Sequence, residues 1–356
     1  MAQGGQSRPI PVRAQSMSWI SPDQAFVLGA VECGGNDCTA VVGTTDGGSS
    51  WHALGSLPAP LGIEQKTGVT GIRFADALHG WAFEPSLWST DDGGVTWQQE
   101  QPPGGRLVLA LGGDADGMYA VVSPCPYQYT NCGLPVTLWR TVPGSGAWSQ
   151  VLTLPPFSGF GEITIAATGP VAYVAVPTPG SYDPDVLEVT LDGERWTART
   201  DPCNKQDGDY LSSVAPMAGK RVALLCQSDI GFGKANKRVL RSSDAAATTT
   251  PAGTMPLYGI ITQLAASPKG TVVAATYSIG SWIYRNAGGE TWTTPVDLGD
   301  GGMGWNDVTF VSNSVAYVIH GQASCCGGGP GELVRSTDGG QTWRGFVILL
   351  HPPTAG

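Results

Sequence analysis

Residues 44–51 read TTDGGSSW, residues 90–97 read TDDGGVTW, and residues 336–343 read STDGGQTW. All three fit the pattern (S/T)-x-D-x-G-x-x-W. Four degenerate copies lie at residues 141–148, 190–196, 242–249 and 285–292, of which the copy at 190–196 is one residue short and the copy at 242–249 has lost the Trp. The ends of successive copies are 43 to 53 residues apart, so the chain is a seven-fold repeat.

Each repeat unit contains four short apolar runs separated by turns. In the second unit these runs are residues 69–75, 81–83 and 87–89, followed by a fourth that leaves the motif at Trp97. Four strands per unit, seven units and no helical periodicity predict an all-β, seven-bladed β-propeller of four-stranded antiparallel blades. A single blade cannot bury both of its faces, so we expect one domain. We assign residues 14–350 to the propeller, 1–13 to an N-terminal extension and 351–356 to a C-terminal tail.

The composition excludes several other classes of protein. Gly accounts for 51 of 356 residues, charged residues for only 13%, and Trp for 12 residues. This is too apolar and too weakly charged for a disordered chain, and no apolar run approaches the ~20 residues of a membrane span. The net charge of −10 disfavours nucleic acids and anionic membrane surfaces as partners.

The repeat pattern resembles the Asp-box, or bacterial neuraminidase repeat, of sialidase-like propellers. The second unit, GIRFADALHGWAF at 71–83 with LWSTDDGGVTW at 87–97, resembles the photosystem II assembly/stability factor family and its relatives in non-photosynthetic bacteria. The resemblance spans about residues 14–346. It implies the propeller fold, and the likeness to assembly factors implies a protein partner. The sialidase catalytic residues cannot be carried over, because the Arg-Ile-Pro element of that family is replaced here by RPIP at 8–11.

The repeated residues predict a structural role. In the turn between the third and fourth strands, an Asp carboxylate can accept backbone N–H groups, a Gly supplies positive φ, and the Trp packs between sheets. Identical residues around a ring cannot all serve one asymmetric site. We therefore expect the following residues to stabilise the fold: Asp46, Trp51, Asp92, Trp97, Asp192, Trp196, Asp338 and Trp343.

Strand order separates the ring into two faces. The turns between first and second strands are short, and they share one face, the plain face, with the repeat turns. The opposite face, the elaborated face, carries the loops between second and third strands and the links between blades. These include the long irregular segments 123–136, 227–238 and 322–331. Irregular loops on a rigid scaffold are the usual location of binding sites.

The eight cysteines all belong to the elaborated face or to strand ends directed towards it. The simplest pairing by proximity is Cys33–Cys38, Cys125–Cys132, Cys203–Cys226 and Cys325–Cys326, out of 105 possible pairings for eight cysteines. Disulfides predict an oxidising compartment, and because no signal peptide is visible at the start of this chain, we expect a mature secreted protein. Reduced buried thiols are the alternative, and the spacing does not match a zinc site.

The candidate ligand site lies where the central channel opens on the elaborated face, at the starts of the first strands. Side chains there that can stack or form hydrogen bonds are Arg13, Arg106, Tyr210, Tyr258, Trp305 and Asn306. A glycosidase requires two carboxyl groups ~5–9.5 Å apart. Glu162 together with Asp209 or Asp307 is the candidate set.

We expect a secreted bacterial binding module without catalytic activity, monomeric and without cofactor or metal, that holds a glycan or protein ligand on the elaborated face. The alternative is a sialidase-like glycoside hydrolase or lyase that uses Glu162 with a nearby Asp. A third possibility is a structural module of a cell-envelope assembly. An inward-facing carboxylate pair in the channel favours the enzyme.

Overall fold

The structure is a computed structural model that describes residues 9–62, 67–125, 133–156, 162–178, 182–321 and 331–351. In these ranges the backbone is almost entirely extended, and the one helical element is a 3-10 turn at Lys205–Asp207. No helix among them is long and apolar enough to cross a membrane.

The strands follow the chain in sets of four, one set for each blade. The first four blades are formed by β1 (Ile10–Trp19), β2 (Ala25–Cys33), β3 (Asn36–Thr44) and β4 (His52–Ala53); β5 (Gly71–Phe74), β6 (Gly80–Phe83), β7 (Leu87–Thr90) and β8 (Gln98–Glu100); β9 (Leu107–Asp114), β10 (Gly117–Ser123), β11 (Pro135–Thr141) and β12 (Ser149–Pro156); and β13 (Thr164–Thr168), β14 (Val171–Val176), β15 (Val186–Thr190) and β16 (Trp196–Arg199).

The remaining three blades follow the same order, and one further strand ends the described chain. They are β17 (Tyr210–Pro216), β18 (Val222–Gly231), β19 (Lys234–Ser242) and β20 (Thr250–Thr254); β21 (Ile261–Ala266), β22 (Val272–Tyr277), β23 (Ser281–Asn286) and β24 (Thr293–Leu298); β25 (Trp305–Phe310), β26 (Ala316–His320), β27 (Glu332–Ser336) and β28 (Arg344–Phe346); and finally β29 (Ile348–Leu350).

Each blade is an antiparallel sheet in chain order, which confirms the predicted seven-bladed propeller. The first strands of neighbouring blades contact each other around the ring, including β1 with both β5 and β25. The ring closes where β29 pairs antiparallel with the start of β1, from Ile10 opposite Leu350 to Val12 opposite Ile348. The structure therefore places residues 10–13 inside β1, before the predicted start of the propeller at residue 14.

The hydrophobic core consists of seven clusters, one between each pair of adjacent blades. The strand β14 shows how the sequence produces this arrangement. Its six residues are all buried. Tyr173 faces the cluster shared with the fifth blade, whereas Val174 faces the cluster shared with the third. Since successive side chains of a strand point to opposite faces, one continuous apolar run supplies two interfaces.

The repeat tryptophans pack in these same interfaces. Each one lies between its own blade and the preceding blade, as Trp97 does in the cluster between the first and second blades. The Trp97 ring meets Phe74 edge to face, with ring centroids 6.1 Å apart. The fifth repeat has Thr249 in place of Trp, and the small residues Ala245 and Ala246 complete its interface.

Candidate functional site

The carboxylates of the repeat turns form their hydrogen bonds within their own turns. Asp46 accepts bonds from the Ser50 hydroxyl at 2.6 Å, the Ser50 backbone N–H at 2.8 Å and the Thr44 hydroxyl at 2.8 Å. These bonds, those of Ser50 foremost, lower the pKa of Asp46 to about 2. The same set of bonds recurs in the other full turns, at Asp92, Asp244 and Asp338.

The shorter fourth turn uses a variant of this arrangement. Asp192 accepts the backbone N–H groups of Arg195 at 2.8 Å and Glu194 at 3.0 Å, and it also pairs with the Arg195 guanidinium. These contacts hold the pKa of Asp192 below its ordinary value. The geometry of these turns accounts for the repeated Asp residues without a role in ligand chemistry.

The first strands of all seven blades enclose a central channel of about 680 Å³. Four of these strands, those of the first, third, fifth and seventh blades, carry a β-bulge near the elaborated face. The bulged residues are Gln15, Leu109, Ser212 and Asp307, and each of them lines the channel. Because a bulge inserts an extra residue and redirects the strand, it brings side chains into the channel that regular alternation would not.

The Asp307 carboxylate is the centre of a network that spans three blades. It forms an ion pair with Arg73, with Nη2 2.7 Å from Oδ1 and Nη1 3.2 Å from Oδ2. It also accepts the Ser16 hydroxyl at 2.6 Å and the Met17 backbone N–H at 2.9 Å. Asp307 has a φ of 40°, in the left-handed region, so its backbone is held in an unfavourable conformation where these bonds form.

Glu84 enters the same channel from the end of β6. Its φ is 70°, and its carboxylate accepts the Thr70 hydroxyl at 2.7 Å. Burial contributes most to raising the pKa of Glu84, and the negative charge of Glu162 raises it further. The Thr70 hydrogen bond and the positive charge of Arg73 lower it, and the resulting pKa is about 7. Glu84 can therefore keep its proton close to neutral pH.

Glu162 precedes β13 and lines the same channel from the fourth blade, two blades along the ring from Glu84. Its side chain is exposed to the channel, which the first strands of all seven blades enclose. This enclosure, and after it the charge of Asp307, raise the pKa of Glu162. The elaborated end of the channel thus holds one ion-paired carboxylate and two carboxyl groups with raised pKa.

The predicted catalytic set is only partly assembled. Glu162 and Asp307 line the channel, whereas Asp209 lies outside its lining. Asp209 is buried, and its Oδ2 is 3.3 Å from Nη2 of Arg238 in β19. The link before β17 directs Asp209 towards its own blade, so Asp209 is not a partner for Glu162 in the channel.

Two of the predicted ligand-binding residues are neighbours in β25 but point in different directions. Asn306 lines the channel. Trp305 is only 2% exposed, its indole N–H donates to the Thr276 carbonyl at 3.1 Å, and its ring packs against His320. Trp305 therefore belongs to the wall between the sixth and seventh blades and does not face a ligand, which corrects the sequence-based assignment.

The other four predicted ligand-binding residues lie outside the channel lining. Arg13 forms an ion pair with Asp37, and Arg106 is exposed. The Tyr210 hydroxyl accepts a hydrogen bond from the Gln227 side chain at 3.1 Å. The fourth residue, Tyr258, is 46% exposed. The predicted site is thus divided between the channel and the surrounding surface of the elaborated face.

Two of the predicted disulfides are present. Cys33–Cys38 closes the end of the β2–β3 hairpin, and Cys203–Cys226 ties the link before β17 to β18. The proposed pairs Cys125–Cys132 and Cys325–Cys326 include residues that lie outside the described ranges.

One group of side chains has the spacing of a metal site. Ligand atoms of Asp185, Asp201 and Cys203 lie within 4.8 Å of one another. However, the Cys203 sulfur is in a disulfide, and the Asp185 carboxylate already binds the Lys205 ammonium at 2.6 Å and the Leu211 backbone N–H at 2.5 Å. These contacts fit a structural tie between the fourth and fifth blades better than a metal centre.

Sequence reasoning missed Arg73 and Glu84. Both belong to the second unit, Arg73 within the stretch 71–83 and Glu84 directly after it, but neither is at the start of a first strand. Arg73 is the third residue of β5, and Glu84 follows the second strand of its blade. A charged residue at the end of an otherwise apolar second strand was the available signal for Glu84.

Comparison with known proteins gives similarity of fold only. No known family model matches the chain, and no curated protein matches it in sequence. Solved structures do match. YCF48 bound to a D1 peptide has a TM-score of 0.55 and 17% identity, over 94% of this chain and 95% of that one. YCF48 from Cyanidioschyzon merolae has a TM-score of 0.50 and 20% identity, over 77% and 83%.

Enzymes are found among the matching propellers as well. An ancestral GH74 enzyme has a TM-score of 0.56 and 13% identity, over 98% of this chain and 48% of that one. At these levels of identity the matches support a seven-bladed propeller. They include both a propeller bound to a peptide and a GH74 enzyme, so they do not decide between binding and catalysis.

Proposed function

We propose that this protein is a secreted binding module without catalytic activity that holds a glycan or protein ligand on its elaborated face. The observation that carries the proposal is the state of the channel carboxyl groups. Asp307 is occupied by Arg73, Ser16 and Met17, and both Glu84 and Glu162 have raised pKa values.

Glycoside hydrolysis requires one protonated carboxyl group and one ionised carboxylate that faces the same substrate. Among the described residues of the channel wall, Glu84 and Glu162 both have raised pKa values, whereas the Asp307 carboxylate already accepts four hydrogen bonds and is not available as the partner carboxylate. A pair of carboxyl groups with raised pKa can instead donate and accept hydrogen bonds to a bound polar ligand.

Two further findings support the proposal. The disulfides Cys33–Cys38 and Cys203–Cys226 are typical of an oxidising compartment. YCF48, a propeller of the same fold, binds a D1 peptide, so this architecture is compatible with a peptide ligand.

The test is a pair of arrays, one of glycans and one of peptides, probed with the oxidised full-length protein. The Glu162→Gln variant removes the channel carboxylate, and Glu194→Gln makes the same chemical change on the plain face. We expect the wild type to retain ligands, Glu162→Gln to lose or alter that set, and Glu194→Gln to match the wild type. Absence of any retained ligand on both arrays would contradict the proposal.

The second candidate is a glycoside hydrolase with Glu84 and Glu162 as its carboxyl pair. The observation that favours it is their electrostatic coupling across one channel, where the charge of Glu162 raises the pKa of Glu84. Release of reducing ends from retained glycans, lost about 100-fold or more in Glu162→Gln, would support the enzyme. Retained glycans that stay intact over a long incubation support the binding module.

A further inference from the structure

Exposed apolar side chains are concentrated on one sector of the elaborated face. Fifteen large apolar residues are exposed in the described parts of the chain, and six of them come from loops of the fifth and sixth blades. We call these six residues the blade 5–6 patch: Ile230, Phe232, Leu257, Tyr258, Ile279 and Met303. Large exposed apolar patches mark interaction sites more often than chance.

The segments that carry the patch are held together by hydrogen bonds between their backbones and short side chains. The β18–β19 hairpin contacts the loop after β22, where the Ser278 hydroxyl donates to the Gly233 carbonyl at 2.8 Å. The same carbonyl accepts the Gly259 N–H at 3.0 Å. Gly302, next to Met303, lies directly against the backbone of Ser278. The patch is therefore one continuous and fixed surface.

Phe232 is the most exposed member of the patch, at 96%. It lies in a two-residue turn, because Gly231 pairs with Lys234 across the hairpin. Phe232 and Gly233 have φ values of 55° and 71°. Turns with positive φ at both central residues favour Asn-Gly, and positive φ is strained for a bulky side chain. Neither stability nor solubility explains a solvent-exposed Phe at this position, whereas contact with a partner does.

Lys234 gives the patch a positive charge at its centre. Its ammonium lies over the Tyr258 ring, 5.2 Å from the centroid, and it has no ion pair within the described ranges of the chain. Tyr258 also stacks on Trp282, with centroids 5.5 Å apart. The ring thus already carries an indole and an ammonium, which disfavours the sugar stacking that an open aromatic platform would offer.

We propose that the blade 5–6 patch docks a protein segment in which an apolar side chain lies next to an Asp or Glu. The apolar anchor packs on Phe232 and Ile279, and the carboxylate pairs with Lys234. Aromatic anchors near the centre of an interface contribute most of the binding energy, and a complementary charge fixes orientation. The inference rests on the proposed function and specifies the class of ligand and its place on the elaborated face.

The experiment selects twelve-residue random peptides displayed on phage against the immobilised full-length protein. The enriched peptide is then synthesised with a fluorophore and titrated against variants by fluorescence anisotropy. We expect enriched sequences that combine apolar residues with Asp or Glu. Phe232→Asn should weaken binding at least about tenfold, and Lys234→Glu should weaken binding of the acidic peptide. Leu78→Asn, which removes an exposed apolar side chain from the plain face, should match the wild type.

Phe232→Asn also separates binding from folding. Asn-Gly suits this turn better than Phe-Gly, so we expect a melting temperature equal to or above that of the wild type, together with the loss of binding. Weak binding accompanied by a lower melting temperature would assign Phe232 a structural role and overturn the inference.

Other outcomes also overturn it. Enriched peptides that are basic, or that bind Phe232→Asn as tightly as the wild type, place the ligand elsewhere. If gel filtration with light scattering shows a dimer that Phe232→Asn dissociates, the occupant is a second copy of the chain. If no peptide is enriched while glycans bind on the array, the docking inference fails and the proposed function stands. If neither ligand class binds, both fail.

Discussion

Glu84→Gln tests the electrostatics of the channel directly. The substitution removes the titrating group but keeps an oxygen that can accept the Thr70 hydrogen bond. In the folded wild type Glu84 releases its proton near pH 7, whereas its ordinary pKa is 4.5. Between these two values the folded state binds more protons than the unfolded state, so wild-type stability falls as the pH rises through this window.

The magnitude follows from the same two pKa values. Each pKa unit corresponds to about 1.4 kcal/mol, so the rise from 4.5 to about 7 destabilises the folded protein by up to about 3 kcal/mol above pH 7. We expect Glu84→Gln to become more stable relative to the wild type as the pH rises from 4.5 to 8. The gain in its relative unfolding free energy should reach about 3 kcal/mol. Above pH 8 it should not grow further.

Urea unfolding followed by tryptophan fluorescence at several pH values measures this difference. A carboxyl carbon NMR titration provides the second readout, with a Glu84 midpoint near 7 that moves down in Glu162→Gln because a neighbouring negative charge is lost. A difference between variant and wild type that stays constant from pH 4.5 to 8 would refute the reasoning. So would a Glu84 midpoint at the ordinary value.

Three further predictions concern buried and repeated polar groups. Asp185→Ala leaves the Lys205 ammonium without its partner and should lower the unfolding free energy by about 3–5 kcal/mol, and adding Lys205→Met should restore part of the loss in urea titrations. The side chain of Lys237 is fully buried, and burial lowers its pKa to about 7. Its ammonium group donates hydrogen bonds to the backbone carbonyls of residues 257, 258 and 259. Lys237→Met should therefore cost about 1–3 kcal/mol at pH 6, and equal stability by the same assay would contradict this. Asp338→Asn should lower the melting temperature measured by calorimetry at pH 7. Because the pKa of Asp338 is held at about 2, the difference in melting temperature between variant and wild type should shrink as the pH falls from 3.8 towards 2. A difference that does not depend on pH would count against the role of the carboxylate.

The fold could be predicted because a few residues of known identity recur in most repeat units and determine their turns. The turn at residues 44–51 contains its own hydrogen-bonding partners, so its geometry does not depend on distant segments. In strands such as β14, successive buried side chains alternate between two blade interfaces. This pattern likewise depends only on the strand itself and on its two neighbouring blades. Local rules were therefore sufficient for seven blades and for disulfides between cysteines of the same blade.

The candidate site could be predicted only in part, because its side chains are directed by irregular backbone. Regular alternation places Asn306 and Asp307 on opposite faces of β25, yet a bulge between Asn306 and Val308 brings both into the channel. Trp305 is directed into the wall instead. The positive φ of Glu84 similarly turns a side chain that the apolar pattern of β6 does not anticipate. No local pattern in the sequence distinguishes the strands with bulges from those without.

The irregular features are also what makes this ring asymmetric, as a specific ligand requires. The repeat turns are nearly equivalent around the plain face, so they cannot favour one direction of approach. The bulges occur in the first, third, fifth and seventh blades, and the charged groups of the channel come from the second, fourth and seventh blades. The blade 5–6 patch adds a strained, exposed Phe232 on one side of the same face.

A ligand that contacts both the channel and this patch meets polar groups at one end and an apolar surface with one lysine at the other. Such a ligand can bind in only one orientation, and a protein segment of mixed polarity satisfies that condition better than a uniformly polar glycan does.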